Sequence, residues 1–266
     1  MFSQCRKGID TDMDFQIGLL FSLSIIALLY GSVGHGGASG YIAILSLSVF
    51  ADQGALWLKA HALTLNLIVV IFGLYHYGRR GYLNLKLILP FALTSVPFSY
   101  LGAFLPVIDW VFDTLLSLTL AIASVRLIFS FNDMRPVSGP PPLMISLISG
   151  AGIGLVSGLV GVGGGIFLSP LFVLKGWATN KETAAACALF ILFNSIAGLA
   201  GTFFSGQAML ETDLMIQFIS VVMIGGFLGT RIGANYASDQ TIRYLLSIVL
   251  IVASLRRVLG LVGLWP

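Results

Sequence analysis

The chain has 266 residues, 57% hydrophobic and only 9% charged, with a formal charge of +3 and a mean hydropathy of +0.97. Soluble domains carry about a quarter charged residues, so this composition cannot cover a water-facing surface. It excludes a soluble enzyme, a nucleic-acid binder and a disordered scaffold, and predicts an all-α polytopic membrane protein.

In chain order, the N-terminal stretch holds Arg6, Lys7, Asp10, Asp12 and Asp14 without a small-residue cleavage pattern, so no removable signal peptide is expected. Charge-free stretches then follow at 15–51, 60–78, 87–108, 114–125, 136–174, 183–210, 214–230 and 244–255. A helix crosses about 30 Å of hydrocarbon with about 20 residues, so most of these hold one span once extended into their flanks. The stretches 15–51 and 136–174 are too long for one, and glycine runs break both. Each reads as a two-legged hairpin. Cys5 and Cys187 form neither a disulfide framework nor a metal-thiolate cluster.

Laid over each other at an offset of 127, the two long stretches match. Gly31-Ser32-Val33-Gly34-His35-Gly36-Gly37-Ala38-Ser39 pairs with Gly158-Leu159-Val160-Gly161-Val162-Gly163-Gly164-Gly165-Ile166. Asn66 falls near Asn194, and Leu101-Gly102 matches Leu228-Gly229. This predicts a duplication, 1–131 and 143–266, joined by a polar, proline-rich linker at 132–142. Equivalent loops reverse sign. Arg79, Arg80 and Lys86 in the first half oppose Glu211 and Asp213 in the second, and Asp109 and Asp113 oppose Arg231 and Arg243, which flank Asp239. Reversal favours inverted halves, each a glycine-broken hairpin plus three spanning helices; four spans per half is the alternative, with Arg256 and Arg257 its supporting residues. The basic loops place the protein in the inner (cytoplasmic) membrane as a multi-pass chain.

Glycine runs in hydrocarbon are costly, because backbone groups that leave the helical ladder find no water there. They also allow close helix packing. Paired runs at equivalent places of a repeat favour a substrate-lining role, with free amides and half-helix N-termini facing an anion. The expected binding residues are Gly34, His35, Gly36, Gly37 and Ser39 from the first break and Gly161, Gly163, Gly164 and Gly165 from the second, with Asn66, Asn194 and Ser195 on the spans that follow. His35, with an unperturbed pKa of about 6.5, reads equally as an anion or proton carrier and as a neutral side chain bonded within a tight bend. Ser32, Ser39 and Ser195 could instead bond their own helix backbone. His76, beside Tyr75, Tyr77, Arg79 and Arg80, reads as a membrane-interface residue, and Arg231 as an interfacial anchor.

The run Gly158 to Gly165 followed by Pro170, with the Phe190 to Leu199 stretch containing Asn194-Ser195, resembles the TauE/SafE sulfite-exporter family, also called the toluene-sulfonate uptake permease family. That resemblance implies movement of sulfite, sulfonates or other small sulfur-containing anions, without catalysis. The partners expected are therefore such an anion, membrane lipid, and a proton or ion for coupling, with no nucleic acid and no cofactor. Transport of another small solute is the first alternative. A rival of another class comes from Gly37-Ala38-Ser39-Gly40, which spells the nucleophile motif of rhomboid intramembrane proteases, with His61 or His76 as its base. Because the second copy keeps the glycines and lacks the serine, the glycines are the repeated theme. No phosphate loop or His-Glu-x-x-His motif is present. The expected mechanism is alternating access, with the breaks meeting near the midplane.

Overall fold

The computed structural model describes residues 2–45, 48–50, 53–106, 111, 114, 118, 139–206, 210–238 and 244. The described residues form eight α-helices and no strand: α1 (Phe2–Ser32), α2 (Ala38–Leu45), α3 (Ala55–Arg79), α4 (Leu85–Phe104), α5 (Leu143–Val160), α6 (Gly165–Lys175), α7 (Asn180–Phe204) and α8 (Thr212–Asn235). Of these, α3, α4, α5, α7 and α8 are long and apolar enough to span a membrane, while α1 contributes a shorter apolar run, Gln16–Ser32. Most of the expected last span of each half and of the linker lies outside the described residues, as do Asp109, Asp113, Asp239, Arg243, Arg256 and Arg257.

Local chemistry sets the helix ends. A capping box starts α7: Thr179 Oγ1 accepts from the Glu182 amide at 3.3 Å, and Glu182 Oε2 accepts from the Thr179 amide at 2.9 Å. Asn84 Oδ1 accepts from the Leu87 amide at 3.3 Å and so starts α4. Pro142 precedes the first residue of α5, and Gly161 ends that helix in the left-handed conformation at φ 76°.

Two glycine ladders hold the long helices together. On α5, a Cβ at Gly150, Gly154 or Gly158 would run into the carbonyl oxygen of Phe91, Ser95 or Ser99 of α4. On α8, Gly225, Gly229 and Gly233 meet the carbonyls of Ser24, Leu28 and Ser32 of α1 in the same way. In hydrocarbon, where burying apolar surface drives nothing, such backbone approach maximises dispersion contact. Partner numbers rise together in both ladders, so α4 runs parallel to α5 and α1 parallel to α8. Val69 with Gly226, and His76 Nδ1 with Thr230 Oγ1 at 2.9 Å, set α3 parallel to α8. Ser99 at the Asn194 carbonyl and Ala103 at Gly201 set α4 parallel to α7. Between α3 and α7 the order reverses: Leu63 meets Gly198, Asn66 meets Ser195 and Gly73 meets Ala188. Two same-directed trios, α1 with α3 and α8 and α4 with α5 and α7, therefore face each other across α3 and α7.

The outside is apolar, and the interior holds polar side chains within its apolar core. Phe204 and Leu93 are 77% and 72% exposed, while Asn66 and Asn194 are 0% and Lys59 is 1%. Water would reverse that distribution, whereas lipid selects it.

Candidate functional site

Both glycine runs break the backbone. In the first, the Val33 and Gly34 amides close tight turns on Tyr30 and Gly31, and Gly34 and Gly37 take φ 75° and 100°. In the second, the Gly161 and Val162 amides both donate to the Ser157 carbonyl, and Gly163 and Gly164 take φ 74° and 84°. Only glycine reaches these angles without strain. All four positions also lack room for a side chain: a Cβ on Gly34 would run into the Ala184 carbonyl, one on Gly37 would sit 2.8 Å from the Tyr41 ring, one on Gly163 2.6 Å from Asn66 Nδ2, and one on Gly164 2.8 Å from the Phe190 ring.

The breaks meet. Asn66, midway along α3, accepts on Oδ1 from the Ala38 amide at 3.0 Å and so caps the start of α2. Its Nδ2 donates to Ser195 Oγ at 3.3 Å and lies 3.5 Å from the Val162 carbonyl, in the second break. Gly36 packs directly on the same carboxamide. His35 adds a second tie. Its Nδ1 lies 3.0 Å from the Val33 carbonyl, which can only accept, so Nδ1 carries a proton; Nε2 meets Ser169 Oγ of α6 at 3.2 Å. The His35 ring also faces Gly165, whose carbonyl receives Cys187 Sγ at 3.6 Å.

Of the residues expected from sequence, His35, Gly36, Asn66, Gly163, Gly165 and Ser195 come together at this crossing. Gly34 packs instead on the Ala184 backbone of α7, Gly37 on the Tyr41 ring, Gly161 on the stem of Lys59 and Gly164 on Phe190. Ser39 Oγ pairs with Tyr30 Oη at 3.0 Å. Asn194 is fully buried, and both Nδ2 and Oδ1 lack a hydrogen-bond partner. An unsatisfied buried polar group costs about 1–3 kcal/mol, so Asn194 stands as an unoccupied donor and acceptor. The start of α6 also lacks a side-chain cap: Gly164, at the N-cap, has no side chain to offer, whereas α2 has Asn66.

Comparison with known proteins identifies the chain at this point. Residues 19–257 match the family model described as "Sulfite exporter TauE/SafE". The chain belongs to the TauE/SafE family. Over 244 residues this TauE/SafE chain is 37% identical to a "Probable membrane transporter protein y4hK" of Sinorhizobium fredii (strain NBRC 101917 / NGR234), covering 90% of the chain and 97% of the relative. A "Probable membrane transporter protein ORF9" of Sinorhizobium sp is 34% identical over 189 residues, 68% of the chain and 69% of the relative. No solved structure matches. The protein is a membrane transporter of the TauE/SafE family and not an enzyme.

One reading of a single residue needs correction. The rhomboid-like assignment of Ser39 fails on geometry. Ser39 pairs with Tyr30, His61 Nδ1 with the Trp57 carbonyl at 2.9 Å, and His76 with Thr230, so no histidine activates the serine. His76, in the last turn of α3, is buried and ties α3 to α8 through Thr230.

Sequence reading missed Lys59, Ser169 and Ser157. Lys59 counted as loop charge because the uncharged stretch begins one residue later, yet α3 starts at Ala55 and places Lys59 a full turn inside the helix. Its Nζ is buried and has no hydrogen-bond partner, and neither has Ser157 Oγ. Ser169 lies one turn after the glycine run, a spacing that could have marked it as a partner for the first break.

Proposed function

We propose that the TauE/SafE chain is a secondary transporter that moves small sulfur-containing anions, such as sulfite or a sulfonate, across the inner membrane by alternating access. The observation that carries this reading is the crossing itself. Two interrupted backbones, far apart in sequence, are stapled together by Asn66 and His35 beside an uncapped helix start, and α7, which brings Ser195 to the crossing, also carries the unpaired Asn194 carboxamide. Open backbone amides and a helix N-terminus favour negative charge. The family description supplies the anion class.

An inverted duplication, 1–131 and 143–266 about the 132–142 linker, is part of the reading. Its support is directional. α1, α3 and α8 run one way and α4, α5 and α7 the other, so α1 opposes α5, α3 opposes α7 and α4 opposes α8. The loops agree. Trp57 Nε1 donates to Glu211 Oε1 at 2.9 Å at the start of α3, while Arg80 Nε donates to Asn235 Oδ1 at 2.6 Å at its far end. The acidic loop before α8 and the basic loop after α3 thus lie at opposite ends of the same helix, and the basic end is the cytoplasmic one.

Replacing Gly163 with leucine tests the crossing, because the new side chain would displace Asn66 and Ser195. Purified variant protein in liposomes is expected to insert and elute as a monodisperse species yet to carry no sulfite flux. Flux equal to wild type would mean that the breaks only pack.

A further inference from the structure

We propose that Lys59 supplies the counter-charge of the transported anion, so that substrate and ammonium form the ion pair that the empty protein lacks. The inference rests on the anion-transport reading and adds to it the residue that recognises charge. Lys59 is 1% exposed, and its Nζ has no hydrogen-bond partner. Buried ammonium groups are costly unless paired, and those found inside membranes mark substrate or ion paths. Its position is specific. Lys59 and Asn66 lie two turns apart on one face of α3, and both touch the second break: the Lys59 stem packs on Gly161, and the Asn66 carboxamide on Gly163. At Gly161, where α5 ends, the ammonium makes no hydrogen bond to any carbonyl of the last turn. The acid that meets the start of α3, Glu211, accepts from Trp57 Nε1 and not from Lys59. Gly34, at the place in the first break that matches Gly161, meets the backbone of Ala184, which carries no charge. Among the described residues the site therefore holds one buried cation, suited to a small anion held jointly by an ammonium and by neutral donors.

The test compares wild type with Lys59→Gln, Lys59→Met and Lys59→Arg as purified full-length protein. Binding is measured for sulfite, for methanesulfonate and for dimethyl sulfone, the uncharged isostere of the last. Wild type is expected to bind both anions and to reject the sulfone. Lys59→Gln should lose about tenfold or more in anion affinity and bind methanesulfonate no better than the sulfone, while Lys59→Arg retains the preference. Lys59→Met provides a readout that a purely structural lysine would move the other way: the empty protein should melt at a higher temperature, because an unpaired charge has gone, and anions should no longer stabilise it. If Lys59→Gln keeps wild-type affinity and preference, or Lys59→Met melts lower, Lys59 is not the counter-charge and the anion-transport reading survives. If wild type binds neither anion, both fall.

Discussion

Asn66 and Asn194 show how far residue identity alone can lead. Both are buried carboxamides midway along 25-residue helices, and a sequence reader expects each to bond something, since neither finds water in hydrocarbon. Their situations are opposite. Asn66 uses its oxygen on Ala38 and its nitrogen across to Ser195, whereas Asn194 uses neither atom. We expect Asn66→Ala to lower the melting temperature in detergent, since it orphans the buried Ala38 amide at a cost of about 1–3 kcal/mol. Asn194→Ala should leave the melting temperature of the empty protein unchanged or raised while weakening sulfite binding. Equal destabilisation by the two variants would show that Asn194 has a structural partner. The asparagines were legible as polar groups in lipid, but their partners were not, because Ser195 lies 129 residues from Asn66 in sequence.

At the scale of elements, glycine does two jobs that composition cannot separate. In the breaks, Gly163 and Gly164 turn the chain through left-handed angles; in the ladders, Gly154 and Gly229 sit in ordinary helix and admit a neighbouring backbone. Positions within one helix can be told apart by their surroundings. A Cβ at Gly154 would collide with the Ser95 backbone, but one at Gly152 meets nothing within 4 Å. Gly154→Leu is therefore expected to abolish monodisperse folded protein on size exclusion. Gly152→Ala should elute as wild type and melt slightly higher, by up to about 1 kcal/mol of helix propensity. The break positions were legible from the repeated glycine pattern. The ladder on α5 spells small-x-x-x-small, yet its partner α4 could not be named from sequence, since spacing shows which face is small and not what lies against it.

For the molecule as a whole, the glycine ladders join helices from different halves of the chain: α1 with α8, and α4 with α5. Halves that rocked against each other as written in sequence would have to slide both ladders, where backbones are in contact. Under the proposed mechanism the units are instead the two same-directed trios, and motion occurs between α3 and α7. Gly73 and Ala188 face each other there, a Cβ on the first lying 3.3 Å from that of the second, near the separation a disulfide spans. In a background with Cys5 and Cys187 replaced by serine, oxidising Gly73→Cys with Ala188→Cys should stop flux, and reductant should restore it. Undiminished flux in the cross-linked protein would show that α3 and α7 do not move apart.

Residence in lipid, helical class, family and the location of both breaks were determined by the sequence itself. These follow from hydropathy and glycine spacing, which are local properties that every fold of the chain must respect. Tertiary structure decided which buried polar groups are satisfied and which wait for a partner. It stapled the breaks through Asn66 and His35, took Ser39 out of contention by pairing it with Tyr30, and carried Lys59 from an apparent loop into the interior. A polar side chain in hydrocarbon is defined by what lies within hydrogen-bond reach, and only the packing of distant helices sets that.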